Sequence, residues 1–353
     1  MGVTGLETII NAFAENSIKY RQFQNYRGTC QPLDTSVIIC RFCKGILDID
    51  SFRSFSNEFT GHLFACVTKS LQMLNYGIKP IWVLDGPPPR KKKKTLTKRK
   101  NARNVAILKL NENNLTIEET NKLNKKAFNV TSKHFNEIKY LLTLMGLPFI
   151  ESPGEAEAQC AALNIAGISK GVVTDDWDVI LFGCKSMLKN FSNKSHVVEI
   201  DIVELMKTLE ITREQFITLG GILGNDYGDG IKGLKPIDAY IKFKECGFDI
   251  DKLLVTLRHD KQYRIPDNFK EQLKLSRDYY LHAPVIDPKD IKIIWNVPNY
   301  DKLYDYLVLD KNFKSKFINA KLKELKMMYD QYIINGKLIT LNRIKKERID
   351  LTN

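Results

Sequence analysis

Short apolar segments that end in aspartate constrain the fold of this chain more than any other feature. The clearest are IKPIWVLDG (78–86) and GVVTDD (171–176), and TCQPLDTS (29–36) is a weaker example. Helical stretches at 61–77 and 134–146 separate them. Strands that alternate with helices predict an α/β fold with a central, mostly parallel sheet flanked by helices. The carboxyl ends of parallel strands meet at one edge, where ligands bind, so the aspartates are expected there.

The positive charge of the chain is concentrated in one window. Ten of the twenty residues from 90 to 109 are basic and none is acidic; without these ten, the net charge of +13 falls to only +3. Such a window favours a polyanionic partner, of which nucleic acid is the commonest, although a solvated face or a nuclear localisation signal are alternatives. Lys92, Arg99 and Arg103 are seven and four residues apart, which places them on one helical stripe able to follow a phosphate backbone.

Several classes of protein are not expected from this sequence. It has no apolar stretch of about 18 residues, so we predict no transmembrane helix. The segment MGVTGLETII lacks a basic region and a long apolar core, so we expect no secretory signal. The seven cysteines are odd in number and irregularly spaced, which favours reduced thiols in an intracellular protein.

A set of acidic residues stands at strand ends and in turn-like motifs. Its members are Asp34, Asp85, Glu155, Glu157, Asp176, Asp178 and Asp226. Each has a structural alternative, because the aspartates could cap helices or belong to turns. Glu155 could close a capping box that begins at Ser152, with Pro153 at the first helical position.

Taken together, these acids favour a divalent metal site. Two carboxylates about 4 Å apart repel by roughly 4 kcal/mol at an effective dielectric of 20, so a cluster needs cations. Carboxylate oxygens are the ligands that Mg²⁺ and Mn²⁺ prefer, whereas the lone Cys40-x-x-Cys43 pair does not predict zinc. Acids that hold metals beside a basic stripe that holds a polyanion indicate two-metal hydrolysis of phosphodiesters.

Two further segments point to nucleic acid. The stretch 90–130 is polar and helix-prone, and we interpret it as a helical excursion from the sheet. After Asp226, the glycines of GDGIKGL precede a predicted helix, so backbone amides in this loop are suited to hold a phosphate.

The motifs that carry these residues resemble those of the flap endonucleases, which are XPG-type structure-specific 5′ nucleases. They are MGVTGL (1–6), LDTS (33–36), VLDGPPP (83–89), SPGEAEAQCAAL (152–163), TDDWDVILFG (174–183), LGNDYGDGIKGL (223–234) and WNVPN (295–299). The resemblance implies a hydrolase that cuts DNA at junctions of single and double strands, with two Mg²⁺ ions for which Mn²⁺ can substitute. It implies DNA with a 5′ flap, nick or gap as the partner, in replication, repair or recombination, and no membrane.

The resemblance also assigns roles to residues. It implies that all seven acids bind metal, that Lys92 and Arg99 clamp the scissile phosphate, and that Gly2 lies near the active site. We add Arg103 to the predicted DNA contacts from its place on the basic stripe. A helix–two-turn–helix at about 216–245, which includes Gly224, Gly228 and Gly233, would grip duplex DNA with K⁺. Here Gly233-Leu234-Lys235-Pro236-Ile237 departs from the family pattern at Lys235 and Ile237.

The implied organisation has four parts: an N-terminal nuclease region (1–89), a helical arch of gateway and cap (90–130), an internal nuclease region (131–285) and a C-terminal extension (286–353). The sequence RIKKERIDLTN shows no sliding-clamp peptide, so that partner is not expected. DNA as substrate implies the nucleus or another replication compartment, with a viral factory as an alternative. A 5′-3′ exonuclease, a gap or junction endonuclease and a non-catalytic DNA-binding scaffold remain the alternative functions.

Overall fold

The computed structural model of the chain describes residues 3, 5–46, 52–89, 92–112, 115–192, 194–334 and 337–338. Its α-helices are α1 (Leu6–Phe13), α2 (Thr35–Gly45), α3 (Gly61–Asn75), α4 (Lys93–Leu110), α5 (Ile117–Ala127), α6 (Ser132–Leu144), α7 (Ala156–Ile165), α8 (Asp178–Leu181), α9 (Ile202–Leu209), α10 (Arg213–Leu223), α11 (Pro236–Glu245), α12 (Ile250–Arg258), α13 (Phe269–Leu281), α14 (Tyr300–Tyr304) and α15 (Ser315–Tyr332). Its strands are β1 (Ile18–Arg21), β2 (Cys30–Asp34), β3 (Lys79–Leu84), β4 (Phe149–Glu151), β5 (Val172–Val173), β6 (Ser186–Lys189), β7 (Val197–Asp201), β8 (Ile333–Ile334) and β9 (Lys337–Leu338). None of the helices in these ranges is long and apolar enough to cross a bilayer.

The chain divides into two compact units whose segments alternate along the sequence. The first unit comprises Met1–Gln22, Asp85–Lys100 and Ser152–Asp290. The second comprises Phe23–Leu84, Asn101–Glu151 and Ile291–Asn353. Because the chain enters each unit three times, residues far apart in sequence become neighbours within one unit.

In the first unit, four strands follow the order β1-β7-β6-β5. Strands β5 and β6 are parallel, whereas β7 is antiparallel to both of its neighbours. The register pairs Val172 with Met187 and Met187 with Ile200, and all three side chains are buried. The parallel pair agrees with the predicted α/β class, but β1, β6 and β7 did not stand out in the sequence.

In the second unit, β2, β3 and β4 form a parallel sheet in that order. All six residues of β3 are buried, as its nearly continuous apolar run predicts for a parallel strand covered on both faces. The Trp82 indole donates a hydrogen bond of 3.0 Å to Ser70 Oγ on α3, so helix and strand are joined by a buried polar contact. The predicted strands and helices around residue 80 are therefore confirmed.

Helices α4 and α5 differ from the packed helices. In α4 only Ala106 is buried among the side chains that the structure describes, and α5 buries none. Thr116 and Glu119 form a capping box at the start of α5, so local hydrogen bonds define this helix in the absence of core packing. The predicted polar helical excursion after residue 90 is confirmed as two largely exposed helices.

Candidate active site

A tight turn after β3 positions Asp85 at the start of α7. The backbone N–H of Ala156 donates to Asp85 Oδ1 at 2.8 Å, and Gly86 N donates to Gly154 O at 2.8 Å. A Cβ on Gly86 would lie 2.1 Å from Ser152 O, so only glycine allows this close approach. The turn therefore places the Asp85 carboxylate at the N-terminus of α7, next to the N-cap residue Glu155.

The acids of α7 project from its first turn. Glu155 is the N-cap residue, and Glu157 lies in the first turn. The capping box given as the alternative role of Glu155 does not form, because Ser152 Oγ donates to the carbonyl of Glu155 and the helix begins at Ala156. The Glu155 side chain is thus not used to cap the helix and contacts Lys92 and Tyr227 instead.

The motif after β5 buries two aspartates. Asp176 Oδ1 accepts from Asp178 N at 3.2 Å, and Asp176 N donates to Thr174 Oγ1. Asp178 is 4% exposed, and both of its carboxylate oxygens are engaged: Oδ1 accepts from Val3 N at 3.0 Å and Oδ2 from Tyr280 OH at 2.8 Å. Hydrogen bonds from nearby and distant residues therefore hold both carboxylates in place.

Burial and mutual repulsion act on these two aspartates. Burial raises the pKa of Asp178 well above its usual value, and the charges of Asp176 and Asp226 raise it further. Burial likewise raises the pKa of Asp176, and the charge of Asp226 raises it further. A buried acid cluster of this kind is stabilised when a cation enters it.

Two basic side chains, one just before α4 and one within it, contact the acids. Lys92 Nζ contacts Glu155 Oε1 and lies 2.8 Å from Asp226 Oδ2, and Arg99 Nη2 lies 2.7 Å from Asp226 Oδ1. Burial alone would lower the pKa of Lys92, but the charges of Glu155, Asp226 and Glu157 outweigh it and raise the pKa above its usual value. Thr95 Oγ1 also donates to the Asp226 carbonyl at 2.8 Å. The start of α4 is therefore fastened to the acids.

Sequence reasoning missed three buried tyrosines behind the acids. Tyr227 OH donates to Glu155 Oε2, and Tyr280 OH donates to Asp178. The rings of Tyr227 and Tyr279 have centroids 4.7 Å apart, and those of Tyr227 and Tyr280 are 5.3 Å apart. Burial and the charge of Asp178 raise the pKa of Tyr280 well above its usual value, so its hydroxyl remains a donor. The only sequence signal was that Tyr227 follows Asp226.

The glycine-rich segment lies between α10 and α11, as predicted for a helix–loop–helix. Gly224 ends α10 with a φ of +94°, and Asn225 Oδ1 accepts from the N–H groups of Tyr227 and Gly228. The side chain that stabilises this turn is therefore that of Asn225 and not that of Asp226. The Asp226 carboxylate instead pairs with Lys92 and Arg99. Gly233 has a φ of +87°, and a Cβ there would lie 2.4 Å from Gln262 O.

Three predicted site residues do not belong to the described part of the first unit. Asp34 belongs to the second unit, where it is fully buried, and its side chain accepts from Val37 N at 3.1 Å as the N-cap of α2. Arg103 is a half-buried residue of α4 in the second unit. Gly2 lies outside the described residues.

The chemistry of the donors decides which metal the acids suit. Among the residues with described positions, no group of three or more His, Cys, Asp or Glu side chains stands close enough together to hold an ion as the structure is arranged. The Lys92 ammonium instead neutralises Glu155 and Asp226. A cluster of carboxylates that already attracts one cation fits a hard divalent ion, provided that Lys92 moves.

Comparison with known proteins places the chain in a family. The XPG N-terminal domain profile matches residues 1–106, and the XPG I-region profile matches residues 146–226. Flap endonuclease 1 of Aedes aegypti is 33% identical over 92% of this chain and 86% of its own length. The chain belongs to the flap endonuclease family. A family member named Flap endonuclease 1, from Plasmodium falciparum, is 33% identical over 95% of this chain. The chain spans 53% to 60% of the length of four Plasmodium relatives.

Solved structures agree on the fold. Flap endonuclease-1 from Methanococcus jannaschii, a member of the family, superposes with a TM-score of 0.71 at 24% identity, over 94% of this chain and all of that chain. The catalytic core of Rad2 in complex with DNA substrate gives 0.70 at 25% identity, over 92% and 100%. The predicted α/β fold class is confirmed.

Proposed function

We propose that the chain is a Mg²⁺-dependent, structure-specific 5′ nuclease that hydrolyses phosphodiesters of DNA at junctions of single and double strands. The observation that carries this proposal is the contact of two arch cations, Lys92 and Arg99, with the buried acid cluster. Cations that can bind a phosphate are thereby placed within reach of acids that can bind metals. Membership of the flap endonuclease family supports the same reaction.

Six of the proposed metal ligands are acids of the first unit, and the assignment of Asp34 to the metal stays a prediction from the sequence. Their donors are carboxylates, which suits Mg²⁺, and Mn²⁺ has the same preference. A related junction-resolving enzyme, GEN1, has been solved with product DNA, Mg²⁺ and Mn²⁺, which supports the choice of ion. When bound, a pair of divalent ions would supply a water of lowered pKa and would stabilise charge on the attacking and leaving oxygens.

The other residues act on the DNA. Once released from Glu155 and Asp226, the Lys92 ammonium and the Arg99 guanidinium would hold the scissile phosphate and stabilise the charge that develops on it. The proposed arch (90–130) would receive the single strand, and Arg103 would contact its backbone. Gly2 is proposed to lie near the reacting phosphate.

The duplex is proposed to bind at the helix–two-turn–helix. Gly224, Gly228 and Gly233 belong to the loop between α10 and α11, and this loop is proposed to contact the phosphate backbone of the duplex. K⁺ is proposed to bind here as in the family, although Lys235 and Ile237 replace family residues. A DNA substrate places the protein in the nucleus or another compartment of DNA replication.

A panel of end-labelled DNAs tests the proposal. The full chain is incubated with 5′-flap, nicked, gapped and four-way-junction substrates, in Mg²⁺ or in EDTA. We expect Mg²⁺-dependent incision of the flap at the junction of single and double strands. Binding without cleavage of any substrate would contradict the proposal and favour a scaffold. Preferred cleavage of nicked, gapped or four-way DNA would favour the exonuclease, gap or junction alternatives.

A further inference from the structure

The carboxylate of Asp178 is held by two donors from distant parts of the first unit. Val3 N donates to Oδ1 at 3.0 Å from near the N-terminus, and Tyr280 OH donates to Oδ2 at 2.8 Å from the end of α13. The partners are 175 and 102 residues away from Asp178 in the sequence. Each oxygen keeps further lone pairs, so this arrangement fixes the carboxylate and still leaves it able to bind a cation.

Tyr280 is in turn tightly fixed. It is 1% exposed, and its ring lies edge-on to Phe182 and Tyr227, with centroid distances of 4.9 and 5.3 Å. The carbonyl of Tyr280 accepts from Arg213 Nη2 at 2.9 Å. Arg213 also donates to the carbonyls of Leu181 and Phe182, at the end of the short helix that begins with Asp178. The guanidinium therefore ties the phenol-bearing end of α13 to the helix that carries the acid.

We propose that Tyr280 is a positioning residue, whose hydroxyl orients the Asp178 carboxylate for a divalent ion. This inference rests on the proposed function, because it assigns Asp178 to the metal. Partners of this kind beyond the ligands commonly change metal affinity by about 10- to 100-fold. Tyr280 touches neither DNA nor the reacting atoms in this assignment, and it acts only through Asp178.

The test measures Mn²⁺ binding to the full chain by calorimetry, without DNA. Tyr280→Phe keeps the ring and its packing but removes the donor, and we expect its affinity for Mn²⁺ to fall about 10-fold or more. Tyr306→Phe is the matched control, because the hydroxyl of Tyr306, in the second unit, is buried and has no hydrogen-bond partner among the described residues. The control should bind Mn²⁺ within about twofold of the wild type.

A double-mutant cycle distinguishes positioning from a general structural effect. In an Asp178→Asn background, adding Tyr280→Phe should change the remaining Mn²⁺ affinity by less than about twofold, because the carboxylate that it orients is gone. A further tenfold loss there would show that Tyr280 acts through the fold and would overturn the proposal. The proposal would also be overturned if Tyr280→Phe alone bound Mn²⁺ as tightly as the wild type.

Cleavage adds a second readout. Tyr280→Phe should need about tenfold more Mg²⁺ for half-maximal single-turnover cleavage, while its rate at saturating Mg²⁺ should approach that of the wild type. An unchanged Mg²⁺ requirement with a lower saturating rate would overturn the positioning role. Failure of the wild type to bind Mn²⁺ would instead overturn the proposed function, so the two failures are distinguishable.

Discussion

Lys92 Nζ lies 2.8 Å from Asp226 Oδ2, and the same ammonium contacts Glu155. Both carboxylates are among the proposed metal ligands. A divalent ion and the ammonium therefore compete for the same oxygens, because each needs their negative charge. Metal uptake should release Lys92 from the acids and make it available to a phosphate.

Removal of Lys92 tests this competition. We expect Lys92→Met to bind Mn²⁺ about 10-fold more tightly than the wild type, since the acids lose their internal cation and become uncompensated. Its cleavage rate should nevertheless fall, because the phosphate loses a proposed partner. Calorimetry and single-turnover cleavage measure the two effects. Lys98→Met is the matched control, because Lys98 is exposed and pairs with Asp229. Weaker Mn²⁺ binding by Lys92→Met would contradict the competition.

The substitution Asp178→Asn separates chemistry from DNA binding. Asparagine has the same shape, its oxygen can still accept from Val3 N and its amide nitrogen can donate to the hydroxyl of Tyr280, so the fold should persist, but a proposed anionic metal ligand is lost. We expect cleavage of 5′-flap DNA to fall by at least about 100-fold, with an affinity for DNA close to that of the wild type. Gel-shift titration in Ca²⁺ and single-turnover assays in Mg²⁺ measure these quantities. Full activity of the variant in Mg²⁺ would remove Asp178 from the metal site.

Arg99 is predicted to increase the rate of DNA cleavage more than the affinity for DNA. Its guanidinium lies at the edge of the acids, 47% exposed, so it can turn toward a phosphate that enters. We expect Arg99→Ala to lower the single-turnover rate by about 10- to 100-fold and to lower DNA affinity much less. Arg103→Ala, one helical turn later, should lower the affinity for DNA more than the single-turnover rate. An unchanged rate for Arg99→Ala would exclude the proposed clamp.

The stability of α6 in the second unit should depend on pH. Thr131 N donates to His134 Nδ1 at 3.1 Å, so the capping box at this helix start requires a neutral imidazole. Burial, followed by the neighbouring His62, lowers the pKa of His134 to about 4. A histidine in the unfolded chain has a pKa of about 6.5. Its stabilising contribution is therefore present above pH 6.5 and is lost as the pH falls toward 4.

The variant His134→Gln isolates this contribution. Glutamine is a standard acceptor at this position of a capping box and does not titrate. Urea unfolding at pH 7 and pH 5 should show that the wild type loses more stability than the variant on acidification. Equal losses in both proteins would show that His134 does not cause the pH dependence.

The strands that precede Asp34, Asp85 and Asp176 could be inferred because local pattern determines them. A short apolar run such as 78–86, bounded by turn residues, is typical of a buried strand, and an aspartate at the end of a parallel strand lies at the ligand-binding edge. The polar composition of residues 90–130 likewise indicated helices that do not pack in the hydrophobic core. These features depend on residues that are close in sequence, which is why periodicity and composition were sufficient.

The contacts that complete the site could not be inferred in the same way. The hydrogen bond of Tyr280 to Asp178 and the ion pair of Lys92 with Asp226 depend on how segments from distant parts of the sequence fold into one unit. The antiparallel strands β1 and β7 are short and half-exposed, so they lack a strong apolar pattern. The alternative capping box at Ser152 does not form: Ser152 Oγ donates to the Glu155 carbonyl, and Gly86, which is distant in the sequence, approaches the same loop closely.

The location of bound Mn²⁺ tests the proposed convergence of the acids most directly. Crystals of the full chain grown with Mn²⁺ would be measured at the manganese absorption edge, and the anomalous difference map would locate the ions. We expect two peaks among the carboxylates of Asp85, Glu155, Glu157, Asp176, Asp178 and Asp226, with the Lys92 ammonium displaced from Asp226. Anomalous peaks only at other sites, or none with these carboxylates well ordered, would contradict the proposed metal centre.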